Sequence, residues 1–174
     1  KPDWASLTFQ PHFTASAANV LFGYWSHDIG GFYEPVDAEL YTRWVQFGAL
    51  SPVFRAHGFR SADIVKRFWL YPPHHFEAMR DALRLRLELL PHLYNGAAAA
   101  HAGGPSLLRP LYHEWPSHDD AYTHPGEYLL GDGVIAAPVT APFSADAPLA
   151  PVKLWVPPGE WALLATGAAI DGPT

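Results

Sequence analysis

The run Val20-Leu21-Phe22-Gly23-Tyr24-Trp25, followed at once by Ser26-His27-Asp28-Ile29-Gly30-Gly31-Phe32, constrains this chain more than any other stretch. Its apolar part reads as a buried strand over about residues 20–27. A carboxylate set directly after such a strand is costly unless it meets a partner or a ligand. The glycine pair lets the backbone turn sharply, or lets a ligand approach it closely. Strand, acid, glycine turn and aromatic is how α/β enzymes present a side chain at the carboxyl edge of a sheet. The same residues also fit a loop cap followed by an ordinary turn.

The flanks extend an α/β pattern. Residues 3–19 read as a helix with Asp3 as its N-cap, broken or kinked near Pro11. Asp37 is the expected cap of a second helix over about 38–50, with Leu40, Trp44 and Phe47 on its buried face and a Glu39–Arg43 pair outside. Ser51-Pro52 stops that helix. Pro52–Gly58 then reads as a short strand carrying His57 to the same edge as Asp28, which makes a βαβ unit. A loop over 58–75 follows. From Phe76 a long helix is expected to about Ala100, striped by Phe76, Met79, Leu83, Leu87, Leu90, Tyr94 and Ala97, and bent near Leu87 by Pro91. Beyond it, Leu107–Trp115, Gly133–Val139 and Val152–Val156 read as strands.

Trp25-Ser26-His27-Asp28-Ile29-Gly30-Gly31-Phe32 resembles a late motif of glycoside hydrolase family 31, the retaining α-glucosidases and α-xylosidases. Further stretches resemble the family in the same order: Asp3–Pro11, Glu39–Pro52, Arg55-Ala56-His57, Leu89–Tyr94, Leu108–Leu111, Leu130-Gly131-Asp132, Ala137-Pro138-Val139 and Val156–Trp161. The resemblance implies the late strand–helix units of a (β/α)8 TIM barrel over residues 1–122, then the start of a small all-β sandwich over 123–174. It implies retaining hydrolysis of α-glycosidic bonds, with a carbohydrate as substrate partner and no cofactor. Asp28 and His57 match positions that hydrogen-bond the sugar. Phe32 matches an aromatic wall of the site, with Trp25 expected to pack beside it. Retaining hydrolysis needs two carboxyl groups about 5–5.5 Å apart. In this family both are aspartates upstream of the motif, so no catalytic residue is assigned within the chain, and Asp3 is read as a helix cap rather than the acid/base.

Length agrees with a partial barrel, since the chain has 174 residues and a whole barrel needs about 250. It also opens in mid-pattern without a methionine, so the amino-terminal part of the same enzyme is an expected partner. The alternative is a truncated, non-catalytic paralogue that binds carbohydrate or another protein. A net charge of −6 without a basic cluster argues against nucleic acid. No apolar run nears the ~20 residues that span a bilayer, so no membrane partner is expected. The ten histidines lack metal-ligand spacing, and His74-His75 are adjacent and expected to point apart, so no metal is expected. Nothing in the sequence indicates a compartment.

Overall fold

The computed structural model describes residues 1–61, 63–143 and 150–174. Its first half is helical. Helix α1 spans Trp4–Ser16, and Asp3 caps it by accepting from the Ser6 amide at 2.8 Å. Pro11 does not break it. The helix runs on to Ser16 because Leu7, Pro11, Thr14 and Ala15 share a buried face, and their burial offsets the hydrogen bond a proline removes. Helix α2 spans Ala38–Ala49 and starts at Asp37, whose Oδ1 accepts from the Leu40 amide at 2.9 Å. Leu40, Trp44 and Phe47 are buried, as their spacing predicts. The expected Glu39–Arg43 pair is not made. Glu39 accepts from the Phe143 amide at 2.6 Å and Arg43 donates to Gln46 at 3.2 Å, since a one-turn ion pair is worth only tenths of a kcal/mol and yields to better donors.

The expected long helix is two: α3, Pro73–Glu88, and α4, Leu90–His101. The break falls at Leu89, which places Pro91 in the first turn of α4, where a missing N–H costs little. Helix α3 begins earlier than expected, so His74 and His75 lie on its first turn, with ring centroids 4.2 Å apart instead of pointing apart. The expected stripe is buried only in part. Met79 is buried, but Leu87, Leu90 and Tyr94 are exposed.

Neither expected parallel strand carries a ladder. A 3-10 turn takes Ala17–Val20, and Leu21 follows in the left-handed region at φ 63°. The remaining segment to His27 has no hydrogen-bonded strand neighbour among the described residues, and the same holds for Pro52–Gly58. Two backbone bonds join the chain at or just beyond them, from the Ile29 amide to the Arg55 carbonyl at 3.1 Å and from the Phe59 amide to the Phe32 carbonyl at 2.7 Å. Extended segments become strands only with partners along an edge.

The second half carries the regular sheet. Strands β1 (Leu108–Pro110), β2 (Tyr128–Leu130) and β3 (Ile135–Ala136) pair antiparallel in that order. The expected strands at Leu107–Trp115 and Gly133–Val139 contract to β1 and β3, and the short helix α5 (Asp120–Thr123) lies between β1 and β2. Val156 exchanges backbone bonds with Thr174 at 2.9 and 3.2 Å without forming the longer strand expected over Val152–Val156. A hairpin of β4 (Gly159–Ala162) and β5 (Ala169–Gly172) was not foreseen. Alternation across the sheet divides the core. Leu108, Tyr128, Leu130 and Ala136 join Leu7, Ile29, Tyr41, Phe47 and Met79, while Leu129 faces a second cluster with Leu111, Ala121 and Trp155.

Two arginines lock this arrangement. Arg86 of α3 donates Nη1 to the carbonyls of Ala49 and Ser51 at 2.9 and 2.6 Å, and Nη2 to that of Pro52 at 3.1 Å. It thereby satisfies the orphan carbonyls at the end of α2 and fixes the start of the segment leading to His57. Arg109 of β1 is buried and meets Glu114 at 2.7 Å and Asp132 at 3.0 Å.

Candidate functional site

The site is built on the turn Asp28-Ile29-Gly30-Gly31. The Asp28 carbonyl accepts from the Gly31 amide at 2.8 Å, closing a tight turn in which Gly30 and Gly31 take φ of 79° and 74°. A Cβ on Gly30 would meet the Tyr41 ring and the Lys66 ammonium, each at 2.6 Å, so glycine is required by space as well as by backbone. The Asp28 carboxylate stays partly exposed, with the Arg55 guanidinium at 3.9 Å. At that separation the pair is loose, and it leaves the carboxylate oxygens available to other donors.

Phe32 and His57 meet beside this turn, ring centroid to ring centroid at 4.9 Å, and Tyr33 crosses Phe32 edge-on at 4.5 Å. The structure therefore brings Asp28, Phe32 and His57 to one partly exposed edge through the Ile29–Arg55 and Phe59–Phe32 backbone bonds. Trp25 packs elsewhere. Its ring neighbours are Phe13 of α1 at 4.9 Å and Phe22 at 5.5 Å, with no ring pairing to Phe32 among the described residues. Aromatic residues on α1 lie nearer, and a local pattern does not reveal them. The Trp25 indole N–H is buried and has no acceptor among the described residues.

His27, adjacent to Asp28, points the other way, as successive side chains on extended backbone do. Its Nδ1 accepts from the Trp44 indole N–H at 3.0 Å, so in the neutral ring Nε2 carries the proton and donates to Ser51 Oγ at 3.0 Å. The Ser51 hydroxyl in turn donates to the Phe47 carbonyl at 3.0 Å. The imidazole stacks on Phe47 at 4.2 Å, and burial pushes its pKa down to about 3. It is a neutral structural histidine that anchors the segment to α2.

Lys66 is the residue that sequence reasoning missed. It lies in the 58–72 loop, where no periodicity marks it, yet its ammonium donates to the Gly30 carbonyl at 2.7 Å. Burial pulls its pKa down to about 8, against the opposing pull of the Asp28 charge. Asp3 has no catalytic character. Its carboxylate is engaged by the Ser6 hydroxyl and amide, which hold its pKa below the usual range, whereas a general acid needs it raised. Among the described residues no group of three or more His, Asp or Glu is placed to hold a metal.

Two family models match the chain. The glycosyl hydrolases family 31 TIM-barrel domain matches residues 1–96, and the glycosyl hydrolase family 31 C-terminal domain matches residues 104–174. The chain belongs to glycoside hydrolase family 31. Its family 31 relatives include alpha-glucosidase 2 of Bacillus thermoamyloliquefaciens, 36% identical over 83% of this chain and 18% of the relative. The alpha-xylosidase XylQ of Lactiplantibacillus pentosus is 34% identical over 87% of this chain and 19% of the relative. Among solved structures, a family 31 dextranase of Flavobacterium johnsoniae complexed with glucose superposes with a TM-score of 0.87 at 27% identity, over 98% of this chain and 21% of that one. A family 31 alpha-xylosidase from a soil metagenome complexed with xylose gives 0.84 at 26% identity, over 100% and 28%. The chain thus spans less than a fifth of the length of these two curated relatives. It is a mixed α/β piece covering parts of the family's barrel and C-terminal domains.

Proposed function

We propose that this chain supplies part of the sugar-binding subsite of a retaining α-glycosidase, of the α-glucosidase or α-xylosidase type. The observation that carries the reading is the meeting of a partly exposed Asp28 carboxylate with the Phe32–His57 ring pair at one edge. An ionised carboxylate accepts from two sugar hydroxyls, and a neutral imidazole donates to one and accepts from another. The Phe32 face walls the ring. Trp25 belongs to the proposed subsite as support for it, its ring packed on Phe13 and Phe22 beside the segment that leads to Asp28. These contacts orient the pyranose, and the hydrogen bonds that tighten as its ring flattens toward the oxocarbenium-like transition state lower the barrier. The nucleophile and acid/base aspartates lie, in this reading, outside the chain. That agrees with Asp3 being engaged as a helix cap.

The finer architecture is part of the same proposal. Residues 1–122 form late strand–helix units of a (β/α)8 barrel, and residues 123–174 begin a β-sandwich. Helices α1 to α4 all precede residue 123 and strands β2 to β5 all follow it, while β1 reaches across to pair with β2.

The test is kinetic and uses the full-length protein. His57→Ala is expected to lower kcat/KM for an aryl α-glycoside about tenfold or more, about 1.4 kcal/mol for one lost transition-state hydrogen bond. Unchanged kinetics in a folded variant would remove His57 from the site. A full-length protein that binds glucose or xylose without any turnover would instead favour the non-catalytic binding reading.

A further inference from the structure

Adjacent glycines make the Asp28 turn intrinsically loose. Both occupy the left-handed region, and neither has a side chain to pack. The backbone bonds that hold the turn are the internal Gly31–Asp28 bond and the Ile29–Arg55 bond. A carboxylate that must meet sugar hydroxyls to within a few tenths of an ångström needs a firmer support than this.

Lys66 provides one. Its Nζ donates to the Gly30 carbonyl at 2.7 Å and lies 5.3 Å from the centroid of the Tyr41 ring. Its own carbonyl accepts from the Tyr41 hydroxyl at 3.0 Å. The lysine is therefore gripped by α2 at both its backbone and its charge. The slot around it is tight, since a Cβ on Gly58 would come within 3.1 Å of Lys66 Cε. An ammonium-to-carbonyl bond is charge-assisted, and partial burial strengthens it.

We infer that Lys66 is a positioning residue for the sugar site: it clamps the Gly30-Gly31 turn against α2 and so fixes where the Asp28 carboxylate stands. The inference rests on the proposed sugar-binding role of Asp28. Lys66 touches the turn and not the sugar, and its effect on the substrate passes through Asp28. Charged or titratable groups on the elements around it are Asp28 on the turn, Arg55 and His57 on the following segment, Tyr41 on α2 and Tyr71 on its own loop. Tyr41 and Tyr71 are both pushed up by burial, Tyr71 to about 12. Neither changes charge in the range where Lys66 loses its own, near 8.

The experiment compares wild type, Lys66→Met and Lys66→Arg in the full-length protein. Hydrogen–deuterium exchange of peptides covering residues 28–33 is expected to quicken in Lys66→Met and to return to the wild-type rate in Lys66→Arg. With an aryl α-glucoside or α-xyloside, whichever the wild type cleaves, Lys66→Met is expected to lower kcat/KM about tenfold, raising KM and lowering kcat, and Lys66→Arg to restore both. Wild-type KM is expected to climb several-fold between pH 7 and 9, whereas Lys66→Arg, which keeps its charge, stays flat. Unchanged exchange in Lys66→Met, with an active wild type, overturns the clamp alone. Faster exchange with unchanged KM and an unaltered pH profile overturns the positioning role and leaves a purely structural lysine. A wild type that neither binds nor hydrolyses an α-glucoside or an α-xyloside overturns the site reading and this inference's substrate role with it.

Discussion

The segment from Gly23 to Tyr71 and the sheet from Leu107 to Ala136 pack on one core, yet they hold their polar groups in different ways. In the sheet, the backbone largely satisfies itself through β1–β2–β3, and Arg109 adds ion pairs with Glu114 and Asp132. In the Asp28 segment, side chains do that work. His27 reaches Trp44 and Ser51, Lys66 reaches Gly30, Tyr41 reaches Lys66, and Arg86 reaches the end of α2. A ladder spreads its stability over many equivalent bonds, so single substitutions are partly absorbed. Side-chain anchors concentrate stability in a few residues, and losing one leaves specific backbone groups unpaired. The region that presents Asp28 and His57 is thus the one in which individual side chains decide geometry.

The sharpest way to break this comparison is Arg86→Met. It removes three close bonds to carbonyls at and just beyond the end of α2, and a loss of about 2 kcal/mol is expected for a half-buried charged donor. Thermal denaturation should show the drop, and KM should rise because the same carbonyls lead into the segment bearing His57. If Arg86→Met left both Tm and KM unchanged, the contrast between anchored segment and self-satisfied sheet would collapse.

A subtler separation comes from pH, because each region buries a group that titrates at or below neutrality, with opposite effects. His27 is held neutral, its pKa lowered to about 3 from 6.5 by burial. As pH falls from 6.5 toward 3 the unfolded chain takes up a proton that the folded chain refuses, so stability is lost on acidification. Glu127 is raised from 4.5 to about 7, first by burial and against the Trp155 amide that its Oε1 accepts at 2.7 Å. As pH rises from 4.5 to 7 the unfolded chain releases a proton that the folded chain keeps, so stability is lost on alkalinisation. Between about 4.5 and 6.5 the two slopes oppose each other. Glu127→Gln should unmask the histidine, making Tm climb with pH across that window, and should add about 1 kcal/mol above pH 7. A Tm–pH curve identical to wild type would show that Glu127 does not carry the buried charge.

The smallest effect is expected at Glu39→Ala. It loses the bond from the Phe143 amide at an exposed site, about 0.5 kcal/mol or less. A change above 1 kcal/mol by denaturant titration would show that this link between α2 and the Phe143 segment matters more than its exposure implies.

Much of this was legible in order along the chain, and the exceptions share a cause. Asp3 and Asp37 mark helix starts because a cap is decided within three residues. Asp28, Phe32 and His57 were legible through their motif and spacing, and the structure places them at one edge. Trp25 was placed beside Phe32 but packs on Phe13 and Phe22, since which aromatic lies nearest is a property of the folded chain. Leu87, Leu90 and Tyr94 follow helical spacing but stand exposed, because periodicity marks a face without saying that anything covers it. Arg86 and Lys66 carried no signal at all. Each acts on carbonyls more than 30 residues away in sequence.

By itself, then, the sequence determined the starts of α1 and α2 and the stop of α2, the acid and glycines of the candidate site turn, and the family to which the chain belongs. These depend on local backbone preferences and on residue types at short fixed spacings. Only the tertiary structure decided which polar side chains anchor which carbonyls, that His27 turns inward as a neutral brace while Asp28 turns outward, and that Lys66 reaches the glycine turn. Those outcomes depend on burial and on the orientation of groups far apart in the chain, which no local pattern encodes.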